Sequence, residues 1–216
     1  MIWNYIPQVT TTQSKHFTLF IPSHLAFPQL VTKSKTSSTH GFSNIPKIGV
    51  NLEMIEIRNE YDVNQKTMAL LSVAHPDYST VVIEQHRQLF VKQTPLQIIK
   101  AACLDGGSTF EGRQKAVTHL TGSRQKVPIP INPLLNIFTF PTNSPYDFHC
   151  NWIFYHHVKS IIPSDKRKNS TTQVIISFKN DEQLQMKESH HILQKQMQRT
   201  AICILQFTNQ IHELVN

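Results

Sequence analysis

Hydrophobic patterning predicts an α+β fold: a mainly antiparallel sheet with one short internal helix and one C-terminal amphipathic helix. Three observations carry this. Between Leu52 and Lys92 apolar residues recur every second position, the period of a strand with one buried face. One sharply bounded helix signal opens at Thr94. From Ser189 the period lengthens to that of a helix with a single apolar stripe.

The chain begins differently from the way it continues. Residues 1 to about 50 contain Lys15, Lys33, Lys35 and Lys47 but no acidic residue and no arginine, and Pro7, Pro22, Pro28 and Pro46 interrupt every short apolar cluster. The expectation is a domain spanning 53–216, preceded at 1–52 by an extension that is poorly ordered or not native protein, with translation starting at Met54. A basic arm adding nonspecific nucleic-acid contacts is the rival reading.

Strands follow. Ile55-Glu56-Ile57-Arg58 alternates, Thr67–Val73 reads as a buried strand, and Tyr78–Ile83 and Leu89–Val91 flank a turn at Gln85-His86-Arg87. This block carries Glu53, Glu56, Glu60, Asp62, Asp77 and Glu84, which makes it core sheet and a poor surface for an anion.

At Thr94 a hydroxyl stands ready to cap a helix, and Pro95 follows at the first helical position, where its missing N–H costs nothing. Leu96, Ile99 and Cys103 share a face, and Gly106 or Gly107 ends the segment, so Pro95 to Leu104 is a short amphipathic helix. Gly106 to Gly112 then reads as a glycine-punctuated turn leading to Arg113, Lys115, Arg124 and Lys126. That helix has no partner at short spacing, so no helix-turn-helix is expected.

Val127 to Pro133 is extended; its prolines exclude it from the middle of a sheet, so it runs along an edge or across a groove. Ile137–Phe140 and Trp152–Tyr155 are aromatic strands that belong to the core, joined by a polar loop from Pro141 to Asn151. Lys166-Arg167-Lys168 lie in a loop. Val174–Phe178 and Leu184–Met186 form a hairpin across Asn180-Asp181, without the glycine such a turn favours. In the last helix Leu193, Met197, Ile204, Ile211 and Val215 make the stripe, with Lys195, Gln198 and Arg199 opposite. That stripe packs on its own domain or on a second subunit.

Composition narrows the function. A formal net charge of +7 favours an anionic partner, nucleic acid ahead of membrane. No run approaches the roughly 18 apolar residues of a membrane span, and the start lacks the pattern of a signal peptide. Three scattered cysteines, Cys103, Cys150 and Cys203, fit a reducing cytoplasm. His149-Cys150 and His156-His157 lack the paired spacing of a zinc site, and on a strand His156 and His157 would face opposite ways. Cys103 reads as a small buried hydrophobe, and no nucleophile or carboxylate constellation stands out. Neither catalysis nor a cofactor is expected.

The ordered series Pro95-Leu96-Gln97-Ile98, Cys103, Gly107-Ser108, Phe110, Gly112-Arg113, Lys126, Pro128-Ile129, Pro133, Ile137-Phe138, Phe140-Pro141-Thr142, Trp152-Ile153 and His157-Val158-Lys159 resembles the competence transcription factor (ComK) family of Gram-positive bacteria. The pattern lies without a gap on Thr94 to Pro141 and extends more faintly from about Met54 to the last helix. It departs at Leu104, where the family has a basic residue, and at Asp105, where an aromatic is usual. It departs again at Val127-Pro128, in place of a proline pair, and at Tyr155, where a second histidine is frequent.

The resemblance implies an activator of DNA-uptake genes that binds paired A/T-rich boxes on double-stranded DNA, largely through the minor groove. It also implies homo-oligomers, RNA polymerase as a partner, and control by a proteolytic adaptor. Narrow A/T minor grooves carry an enhanced negative potential that attracts inserted Arg and Lys. The DNA-binding candidates are Arg113, Lys115, Arg124 and Lys126, with Lys100 behind them. Arg113 and Lys126 match family positions; Lys115 and Arg124 rest on charge and location. The rival readings are a family-like interaction module in which Leu104 and Asp105 have cost DNA binding, and a metal-dependent enzyme.

Overall fold

A computed structural model describes residues 57–164 and 173–215, together with a two-residue strand, β1 (Thr18–Leu19). The extension at 1–52, apart from β1, and Lys166-Arg167-Lys168 lie outside the described residues.

Ten further strands and three α-helices follow. They are β2 (Ile57–Arg58), β3 (Thr67–Ser72), β4 (Thr80–Glu84), β5 (Gln88–Val91), α1 (Pro95–Asp105), α2 (Phe110–Thr121), β6 (Ile129–Asn132), β7 (Ile137–Pro141), β8 (Trp152–Phe154), β9 (Val158–Pro163), β10 (Val174–Phe178), β11 (Gln183–Met186) and α3 (His190–Val215). One sheet has seven strands in the order β2-β5-β4-β3-β8-β7-β6, and the other four in the order β1-β11-β10-β9. All neighbours are antiparallel except β2–β5 and β1–β11, so the predicted α+β class with a mainly antiparallel sheet is what the chain forms.

Side-chain alternation makes the seven-stranded sheet the middle layer. Leu70, Val82, Trp152 and Phe154 point to one face, where Ile98, Ile99, Ala102 and Cys103 of α1 and Phe110 of α2 cover them. Leu71, Ile83, Phe140 and Ile153 point to the other, against Ile161, Val174, Ile176, Phe178 and Leu184 of the second sheet. The strand aromatics are therefore core. The proline-bearing segment is the outer strand β6, hydrogen-bonded to β7 alone among the described residues, where missing N–H groups cost no ladder bonds.

The expected turn at Asn180-Asp181 closes β10 onto β11, and Asp181, at φ 65°, supplies the left-handed residue that the absent glycine would have provided.

Two expectations are corrected. A second internal helix, α2, follows α1 after a four-residue turn, so the first helix has a close partner after all and Arg113 and Lys115 stand on a helix and not in a loop. The two helices form a helix–turn–helix pair across Gly106–Thr109. Thr109 caps α2 by accepting from the Gly112 amide at 3.0 Å, and Gly122, left-handed at φ 71°, closes it. Gly112 is small for a reason: a Cβ there would lie 2.9 Å from Ser108 Oγ and 3.1 Å from Thr109 Oγ1.

The second correction concerns Tyr155–His157, which form a single 3-10 turn and not the end of a strand. His156 and His157 therefore do not alternate across a sheet.

Candidate nucleic-acid interface

The helix pair is held by local chemistry. Thr94 accepts from the Gln97 amide while the Gln97 side chain accepts from the Thr94 amide at 2.8 Å, a reciprocal cap that satisfies two free ends at once. At the other end the chain turns tightly against β6. A Cβ on Gly106 would stand 2.1 Å from the Ile131 carbonyl oxygen, so only glycine allows this approach. Gly107, at φ 81°, makes the turn. Phe110 then drops into the core edge-on to Trp152, with ring centroids 6.1 Å apart.

The five basic candidates fall into three situations. Lys100 on α1 and Glu111 on α2 form an ion pair at 2.9 Å, both of them half-exposed. Its ammonium also lies 5.8 Å from the centre of the Phe110 ring. The hydrogen bond to Glu111 is the main reason the Lys100 pKa is raised above the usual lysine value, with Glu111 and Tyr146 adding smaller electrostatic contributions.

Arg113 and Lys126 turn inward. Arg113 Nη2 donates to the Gly106 carbonyl, lashing α2 to the preceding turn, while its Nε is buried with no hydrogen-bond partner. Lys126, at φ 49°, donates through Nζ to the Thr142 carbonyl at 2.9 Å and to Asn143 Oδ1 at 3.4 Å. Lys115 and Arg124 do the opposite. Both are exposed, and among the described residues no hydrogen bond or ion pair holds either of them. Lys115 shares an outward stripe of α2 with Glu111 and His119, one turn apart in each direction.

Tertiary structure adds a cation that sequence reasoning had placed on the far side of α3. Arg199 Nη1 donates to the Gln125 carbonyl at 3.0 Å, and Gln196 Nε2 donates to the carbonyls of Lys126 and Pro141, both at 2.8 Å. The terminal helix thus clamps the connector carrying Arg124 and places a second guanidinium beside it. No local signal announces this, because the partners are 74 residues apart. The expected α3 stripe packs on its own domain, with Leu193 buried and Met197 and Ile204 partly buried against the core; Gln196, Thr200 and Cys203 are buried in it as well. The side chains of Ile211 and Val215 lie outside the described residues.

The thiols are not poised for chemistry. Burial pushes Cys103 and Cys203 up to about 12 and Cys150 up to about 11, far from a nucleophilic thiolate at neutral pH. Among the described residues no group of three His, Cys, Asp or Glu side chains is placed to hold a metal ion. No helix among them is long and apolar enough to cross a membrane.

A layered α+β domain that presents cations from a helix pair, a connector and a terminal helix on neighbouring surfaces has the outline of a nucleic-acid-binding protein. The comparison with known families makes this specific: the model described as "ComK protein" matches residues 58–212, and the chain belongs to that family, which is not a family of enzymes. Among curated proteins it is similar to the "Competence transcription factor" of Bacillus subtilis (strain 168). The two are 29% identical over 156 residues, covering 72% of this chain and 79% of the relative. No solved structure matches the chain.

Proposed function

We propose that this protein is a competence transcription factor that binds paired A/T-rich boxes on duplex DNA, largely from the minor groove, and activates DNA-uptake genes. The carrying observation is family membership across most of the chain, joined to outward cations on the elements that carry the family pattern. Lys115 and Arg124 are free to neutralise phosphates. Arg113 and Lys126 act through the backbone they brace, and Lys100 is partly neutralised by Glu111. Paired boxes call for paired copies, so the acting form is a homo-oligomer working in the cytoplasm. RNA polymerase is its target, and an adaptor for proteolysis its control.

The test is fluorescence anisotropy of the full chain on a duplex with two A/T-rich boxes, against a G/C-rich duplex of equal length, across a salt series. A/T-selective binding with a steep salt slope is expected, each phosphate contact contributing about 0.9 to that slope. Arg113→Ala should weaken binding more than Lys166→Ala, because it loosens the helix pair; equal small effects at both, together with no effect of Lys115→Ala, would remove the helix pair from the interface.

A second reading has its own observation. Leu104 is 62% exposed beside exposed Asp105 at the C-terminal end of α1, where a negative charge opposes the helix dipole. That apolar, acidic end suits a protein partner better than a phosphate. Equal, weak binding to both duplexes would favour it.

A further inference from the structure

The core absorbs the strand aromatics, but it leaves two aromatic side chains on one loop facing solvent. Between β7 and β8, Tyr146 is 67% and Phe148 52% exposed, while Pro145 and Cys150 of the same loop are buried anchors. The loop is closed by its own hydrogen bonds. The Asp147 amide donates to the Ser144 carbonyl at 2.9 Å, the Cys150 amide to the Asp147 carbonyl at 3.0 Å, and the His149 amide to Asp147 Oδ1 at 2.8 Å. At its base Thr142 and Asn151 exchange bonds, the Thr142 amide donating to the Asn151 carbonyl at 2.9 Å and the Asn151 amide to Thr142 Oγ1 at 3.1 Å.

One of the basic candidates braces this loop from within. Lys126 Nζ holds its first residues through the Thr142 carbonyl and Asn143. Apolar rings are therefore presented from a pre-formed loop whose base is braced by Lys126.

The geometry points to the β7–β8 loop as an apolar wedge, with Tyr146 and Phe148 entering the minor groove and parting a base step. This rests on the reading of the protein as a minor-groove DNA binder. Minor-groove proteins insert phenylalanine-type side chains between base pairs and kink the duplex. An A/T-rich box that includes a TA step offers a site that unstacks readily. A loop already closed by hydrogen bonds loses little freedom on insertion. Duplex DNA suits the site better than a second copy of the chain, because two side chains fall far short of the roughly 800 Å² per partner that a stable protein interface buries.

The experiment places 2-aminopurine beside each TA step of the two-box duplex in turn. Emission and anisotropy are then recorded with the full chain. Emission should rise on binding at one step in each box. Tyr146→Ala/Phe148→Ala should abolish that rise and weaken binding on the order of tenfold, with unchanged thermal melting of the protein. Tyr146→Phe should keep it. Leu134→Ala/Leu135→Ala, altering exposed leucines at the opposite end of β7, should change neither signal.

The wedge is overturned if the wild type binds the A/T duplex without an emission rise, or if the double aromatic variant rises as the wild type does. It is also overturned if that variant alters only the sedimentation of DNA-free protein, which would make the loop a contact between copies. Absence of any A/T-selective binding by the wild type would defeat the proposed function itself and the wedge with it.

Discussion

The β4–β5 turn and the α2–β6 connector are both rich in charge and use it in opposite ways. At the first, Glu84 is only 3% exposed, yet it accepts from Arg87 Nε, from the Tyr61 hydroxyl at 2.8 Å and from Asn64 Nδ2 at 3.2 Å. Burial alone would raise its carboxyl, but these three donors outweigh that and hold it below the ordinary glutamate value. Burial lifts Tyr61 above the tyrosine range, and its hydroxyl stays a neutral donor. In the connector, Lys126 faces inward and Arg124 outward, two residues apart. Charge spent internally stabilises a fold, and charge left in water is available to a partner. Adjacent residues can differ completely in this respect.

The largest effect expected within this comparison comes from the support of the helix pair. Gly106→Ala would drive a Cβ into the Ile131 carbonyl, which cannot move without shifting β6, at a cost of about 3 kcal/mol. Urea unfolding measures this. Gly107→Ala meets open space and only the left-handed backbone penalty of about 1 kcal/mol. Equal losses would mean that β6 yields.

Next comes the internal network. Glu84→Gln should cost about 2 kcal/mol, since Arg87 and Tyr61 lose a charged acceptor. A glutamate with a lowered folded pKa stabilises above its unfolded value, 4.5, and that contribution fades as pH falls through the folded value. Stability of the wild type should therefore drop below about pH 4.5 more steeply than that of Glu84→Gln. Parallel curves would show that Arg87 does not hold the carboxylate in solution.

The connector offers a finer contrast. Lys126→Ala should lower both melting temperature and DNA affinity, because it releases the β7–β8 loop. Arg124→Ala should leave melting unchanged and reduce the salt slope by about 0.9. If both variants change only affinity, the inward role of Lys126 is wrong. The smallest effect is expected at Lys100. With Glu111 already at 2.9 Å, Lys100→Ala should alter the salt slope less than Lys115→Ala does.

Much of the fold was legible in sequence because its signals are local. The apolar run at 67–73 marked β3, alternation marked β4 and β5, the Thr94-Pro95 start marked α1, and the prolines of 128–133 ruled out a central strand. The second internal helix escaped although its caps, Thr109 and Gly122, are in plain view. Gly112 near its start argues against a helix, and only Phe110 and Val117, seven residues apart, are buried, which is too sparse for a readable stripe. The candidate site was legible as a list of cations, without their directions. The exposed aromatics were missed because the loop holding them reads as polar.

Sequence by itself determined the class of fold, the α1 start, Cys103 as a buried hydrophobe and the family to which the pattern belongs. Each of these depends on spacing or residue type within a few turns of chain. Tertiary structure alone decided which cations face water, because that depends on carbonyls brought from elsewhere: Gly106 for Arg113, Thr142 for Lys126 and Gln125 for Arg199. A backbone acceptor leaves no trace in residue identity, so no reading of the chain in order reveals where a charged side chain will find one.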